Sequence, residues 1–127
     1  MICKKEEIEI NGEIYVKKSS LKQDAKDLNG MRCVIVRSYA AGVHFGYLKS
    51  TEHTLAGTLV TLVDTRRVYS WQGAATLSQM ALDGVKKPEG CKFSVVIPEN
   101  TIQNCIEIIP ISEQAWESLK NVSIWKI

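Results

Sequence analysis

Two long runs of β-forming residues, at positions 32–48 and 58–71, occupy the middle of the chain and leave it little choice but a sheet. Each is longer than the roughly 5–6 residues of an ordinary strand, so each needs an interruption. In the first, Ala40-Ala41-Gly42 predicts a bulge or sharp bend, and in the second Asp64-Thr65 is the expected break. The polar segment at 50–57 reads as a loop between them. Within the second run a period of two places Thr61, Val63, Thr65, Arg67, Tyr69 and Trp71 on one face and Val60, Leu62, Asp64, Arg66 and Val68 on the other. The adjacent arginines therefore point apart.

Before these runs, Ile8 and Ile10, then Asn11-Gly12, then Ile14 and Val16 predict a β-hairpin, because Asn-Gly supplies both positive φ angles of a tight turn. Residues 19–30 follow as one short, weakly amphipathic helix or a mobile connector, with Leu21, Ala25 and Leu28 at helical spacing. Residues 1–31 thus read as an arm, suited to assembly, and 32–127 as one domain. After the second run, Ala74, Leu77, Met80, Ala81 and Val85 give the stripe of the main helix, from Gly73 to near Gly84. A turn at 86–90, strands at 92–97 and 102–111, a short helix Glu113–Lys120 capped by Ser112, and a final strand or packed tail complete the order. Strands, helix, strands, helix make an α+β fold, mainly antiparallel sheet with one main helix and a short C-terminal helix, preceded by the N-terminal hairpin.

With 127 residues, 45% of them hydrophobic, the chain can bury a core without staples. No apolar run approaches the roughly 20 residues that span a bilayer, and MICKKEEIEI contains no signal-peptide block, so no membrane partner and a cytoplasmic location are expected. Cys3, Cys33, Cys91 and Cys105 form no C-x-x-C pair, and Cys33 and Cys105 lie in apolar runs as buried thiols. Neither a metal nor a cofactor is expected, since phosphate-loop and dinucleotide patterns and tight His ligand sets are absent.

Arginine occurs only at 32, 37, 66 and 67, among Tyr39, His44, Phe45, Tyr47, Tyr69 and Trp71, whereas every other cation is lysine. Arginine is the planar fork that grips phosphate or carboxylate. Between 32 and 67 five basic residues face two acidic ones, against a net charge of only +2 for the whole chain, which suits a local anion site better than a nucleic-acid coat. Two segments supply candidates for ligand binding: Arg37, Tyr39, Gly42 and His44 in the first, and Arg66, Arg67, Tyr69 and Trp71 in the second. Glycine admits close approach, aromatic rings stack on bases and arginines neutralise phosphate. His44 as a structural histidine, Gly42 as relief of a bend, and Tyr69 and Trp71 as core are the alternatives. With one well-placed carboxylate, Asp64, and no nucleophile motif, binding without turnover is favoured over enzyme action.

The pattern R-x-Y-x-A-G-V-H-x-G-Y-L, then R-R-x-Y-x-W-x-G-A-x-x-L, then IEIIP, S-E-x-A and IWKI, resembles a family of small proteins of tailed phages and prophages, described as a domain of unknown function. The likeness covers about residues 33–127, while INGEIYVKKSSL resembles an opening module attached to assorted phage proteins. The resemblance implies a phage accessory protein in the cytoplasm of the infected bacterium, where such proteins disarm host defences. One class resembles a sponge, a homo-oligomer whose interface pockets sequester the nucleotide messengers of Thoeris or cyclic-oligonucleotide (CBASS) defence. On that expectation Arg37 and Arg67 contact phosphate, Tyr39 and Trp71 stack, and His44 donates a hydrogen bond. A direct inhibitor of a host defence protein, a nucleic-acid-binding accessory protein and a nucleotide-acting enzyme are the alternatives.

Overall fold

The structure, a computed structural model, describes residues 7–10, 13–16, 25 and 30–127. Strands β1 (Glu7–Ile10) and β2 (Glu13–Val16) pair antiparallel, with Ile8 opposite Tyr15. Their Asn11-Gly12 link, and all of the expected helix or connector except Ala25 and Gly30, lie outside the described residues. Ala25 is part of the main core, donating its N–H to Ile111 O and accepting from Cys33 N, both at 2.8 Å.

The first β-run is a hairpin and not one bent strand. β3 (Cys33–Ser38) turns through Tyr39–Ala41 into β4 (Gly42–Thr54), and Gly42 takes φ +83°, which only glycine adopts freely. The expected polar loop at 50–57 is strand on both sides of a two-residue tip, Leu55-Ala56, because β4 continues to Thr54 and β5 (Gly57–Ser70) begins at once. Thr54 Oγ1 closes that tip, donating to Gly57 O at 2.8 Å and accepting from Ala56 N at 3.2 Å. Side chain–backbone bonds of this kind let threonine end a strand without a long loop.

The expected break at Asp64-Thr65 is a β-bulge. Asp64 adopts φ +48°, and Gly46 alone stands opposite Asp64 and Thr65 between the pairs Phe45–Arg66 and Tyr47–Val63. One extra residue flips the alternation. Val60 and Leu62 therefore face one core and Val68 the other, correcting the single face expected for the even positions.

Helix α1 (Leu77–Asp83) starts later than expected, because Gly73 is at φ +89° and the Thr76 hydroxyl caps it by accepting from Gln79 N at 3.1 Å. It stops at Gly84 as the sequence predicts. After a 3-10 turn at Pro88–Gly90 come β6 (Lys92–Phe93), β7 (Ile97–Ile102), β8 (Cys105–Pro110) and α2 (Glu113–Lys120), the last with its expected Ser112 cap. The helix expected to be minor is thus one residue longer than the main one. Ser112 also bonds carbonyls at the end of α1, through its N–H to Ala81 O and its hydroxyl to Leu82 O.

The main sheet runs β6-β5-β4-β3-β8, with β7 sharing the outer edge of β5. Only Gln103 and Asn104 separate β7, on the outer edge of β5, from β8, on the outer edge of β3. The sheet must therefore curl until its two margins are joined by one bent strand. Inside the curl sit Val34, Val36, Val60, Leu62, Ile102 and Cys105. On the convex side Ile35, Phe45 and Phe93 pack against Met80 of α1 and Trp116 and Leu119 of α2. Edge-on aromatic contacts at 5.4 Å (Phe45–Phe93) and 5.8 Å (Phe45–Trp116) tie that layer. The run Cys33-Val34-Ile35-Val36 is buried on both faces, each side chain of this size contributing about 2 kcal/mol.

Candidate functional site

At one end of the curl the apolar lining gives way to polar side chains. Alternation along β3 puts Ser38 on the face of Val36, and register puts His44 opposite Val36 and Arg67 opposite His44. The bulge makes this possible, since without it Arg67 would turn to the helices and Arg66 into the curl. Across the opening lies β7 with Asn100. The result is a split in the sheet wall, with the β3–β4 turn on one side and β7 on the other.

His44 and Arg67 converge on one acceptor, the Ala41 carbonyl. Nε2 of His44 donates to it at 2.9 Å, and Nη2 of Arg67 donates to it as well. Because a carbonyl only accepts, the Nε2 position carries the proton, and Nδ1 is left as an acceptor in the neutral ring. Burial pushes the His44 pKa below its ordinary value, the bond to Ala41 opposes this, and the Arg67 charge adds to the lowering. The Arg67 side chain lies across Gly42, where a Cβ would stand 3.6 Å from Nη2. Its backbone is locked to Ser94 on β5's outer side, N–H to Oγ at 2.8 Å and carbonyl to Ser94 N at 2.9 Å. Ser38 Oγ ties the turn to the far wall, donating to Gln103 O at 2.7 Å and accepting from Ala41 N at 3.1 Å.

Two hollows adjoin at this point. One of about 260 Å³ is bounded by Thr65, Ser94, Val95 and Ile97, and one of about 450 Å³ by Ser38, Ala40, Thr101, Gln103 and Asn104. Both are also lined by His44, Arg67 and Asn100. Among the described residues neither lining contains an aspartate, glutamate or cysteine. Among the described residues no three His, Cys, Asp or Glu side chains group as metal ligands.

The structure gathers His44 and Arg67, with Gly42 beneath the Arg67 side chain and Arg66 bordering the smaller hollow, and scatters the other candidates. Arg66, 3% exposed, is a scaffold residue: its guanidinium donates to Ser94 O at 2.7 Å and Val122 O at 2.8 Å, with Phe93, Ser123 and Leu119 carbonyls at 3.3–3.5 Å. Its charge is spent on the end of α2 and the chain after it. Arg37 lies on the opposite face from Val36 and pairs with Glu107 of β8 at 2.9 Å. Tyr39, 81% exposed, stands on the turn, its N–H bonded to Asn104 O. Tyr69, 67% exposed, stacks on Trp125 at 5.0 Å and 22°. Trp71, partly buried, packs against the helix-side core with Nε1 donating to Ala74 O.

Sequence reasoning missed Ser38, Asn100 and Trp125. Ser38 carried a signal, two residues from Val36 on the same β-face. Asn100 carried none, because only the pairing of β7 with β5, some 35–40 residues away in register, brings it to the split.

No curated protein and no solved structure matches this chain. The profile of a family described as a domain of unknown function (DUF6948) matches residues 31–119, spanning the whole site, and the chain belongs to that family.

Proposed function

We propose that this protein binds a nucleotide-derived signalling molecule at the split in the sheet wall and holds it uncleaved, serving a phage as an anti-defence sponge in the cytoplasm of the infected bacterium. The observation that carries the reading is a hollow in which, among the described residues, the one available charge is the Arg67 guanidinium and no carboxylate lines the wall to repel an anion. Arg67 spends one of its donors on Ala41 and keeps the rest of its fork. The phage setting comes from the sequence resemblance alone, and with it the expectation of a homo-oligomer whose pockets lie at subunit interfaces.

Calorimetry with cyclic ADP-ribose-type messengers and cyclic di- and trinucleotides tests the reading. At least one should bind and be recovered at unchanged mass, and Arg67→Ala should weaken it by about tenfold or more, the worth of a charge-assisted hydrogen bond. Silence towards all of them removes the proposal. A second reading, direct inhibition of a host defence protein, is favoured by the exposed Tyr39 and the Tyr69–Trp125 stack, since aromatic side chains anchor protein interfaces. Pull-down from host lysate separates the two, a sponge carrying a heat-released small molecule and an inhibitor a polypeptide.

A further inference from the structure

We infer that the ligand is two-lobed, two nucleoside units joined by an internal phosphodiester, with the linkage at Arg67 and one unit in each hollow. This rests on the nucleotide reading above and narrows it. His44, Arg67 and Asn100 line both hollows, so the cation sits where the two meet and not at the blind end of one. A ligand with a terminal phosphate would reach Arg67 and leave the other hollow filled with water. One with an internal phosphate fills both.

Charge selects the same class. Burial and the Arg67 field keep His44 neutral near pH 7, and the Arg66 guanidinium, though it borders the smaller hollow, is already held by surrounding carbonyls. Among the described residues the one free cation at the junction matches the single negative charge of one phosphodiester group, whereas a terminal phosphate group placed there carries close to two at neutral pH. The two hollows differ in lining, and each offers contacts to a nucleoside. Val95 and Ile97 give the smaller one an apolar wall suited to a base, and Ser38, Thr101, Gln103 and Asn104 give the larger one donors and acceptors suited to ribose hydroxyls and base edges. The smaller, about 260 Å³, falls below the roughly 300–1,000 Å³ of ordinary ligand pockets, the larger, about 450 Å³, lies within that range, and the two adjoin at Arg67.

Calorimetry of the full chain against a ladder of probes decides the matter: inorganic phosphate, adenosine, AMP, linear 3′,5′-linked diadenosine monophosphate, and a cyclic dinucleotide. The linear or the cyclic dinucleotide should bind at least about tenfold tighter than AMP, and AMP tighter than phosphate, each added lobe bringing its own contacts. Ala40→Trp on the rim of the larger hollow and Ile97→Trp on that of the smaller should each bring the dinucleotide down to the AMP level, with the melting temperature confirming that the variants fold. If AMP binds as tightly as both dinucleotides, the two-lobed inference fails while the nucleotide reading survives. If neither these probes nor the cyclic ADP-ribose-type messengers bind, both fail.

Discussion

Two adjacent arginines with the same chemistry have opposite fates, and the difference is which way each leaves β5. Arg66 lies among carbonyls of β6, α2 and the chain after each, and burial lowers its pKa. Arg66→Lys keeps a charge but cannot reach several carbonyls with one ammonium, so urea unfolding should show a loss of about 3 kcal/mol. Arg67→Ala should leave the same curve within about 0.5 kcal/mol, the usual span for an exposed position. Should both variants unfold alike, Arg67 is scaffold too. His44 makes a separate prediction. Its folded pKa lies below the ordinary 6.5, so below that pH the unfolded chain binds the proton more readily and stability drains away as pH falls towards the folded value. The melting temperature of the natural chain should therefore drop more between pH 7 and 5 than that of His44→Gln.

Among elements, those written in local chemistry were legible and those made by distant pairing were not. Ser112 announces α2, Gly84 ends α1 and Asp64-Thr65 marks an irregularity, each through a side chain or φ preference acting within a few residues. The face reversal at that irregularity was not legible, because it depends on Gly46 of the neighbouring strand. A Cβ on Gly46 would stand 2.9 Å from Thr65 Cβ and 3.0 Å from Val63 O. Gly46→Ala should therefore cost about 2 kcal/mol by overpacking and, by pushing the bulge apart, should weaken ligand binding through Arg67 without touching the ligand. The corner between β7 and β8 offers a second check. Asn104 sits at φ +56°, so Asn104→Val should lose about 1–2 kcal/mol and Asn104→Gly far less. Equal losses would show that the Asn104 side chain, and not its backbone angle, makes the corner.

For the whole molecule the decisive feature is the passage of the last strand from one margin of the sheet to the other. The sequence predicted an antiparallel sheet with helices, yet the candidate site depends on the curl. Arg37 pairs with Glu107 across β3 and β8, on the face of β3 opposite to that of Arg67. The closing contact also spans 70 residues of sequence between Arg37 and Glu107. Contacts of such separation are slow to form, typically over milliseconds to seconds in sheet-rich domains. During synthesis, at about 5–20 residues per second, β3, β4 and β5 leave the ribosome seconds before β7 and β8. For that interval Val34, Val36, Val60 and Leu62 have no Ile102 or Cys105 to cover them. The nascent chain therefore waits with its inner face open, a surface for a chaperone to hold, and the split in which the ligand would sit is the last seam of the wall to be drawn together.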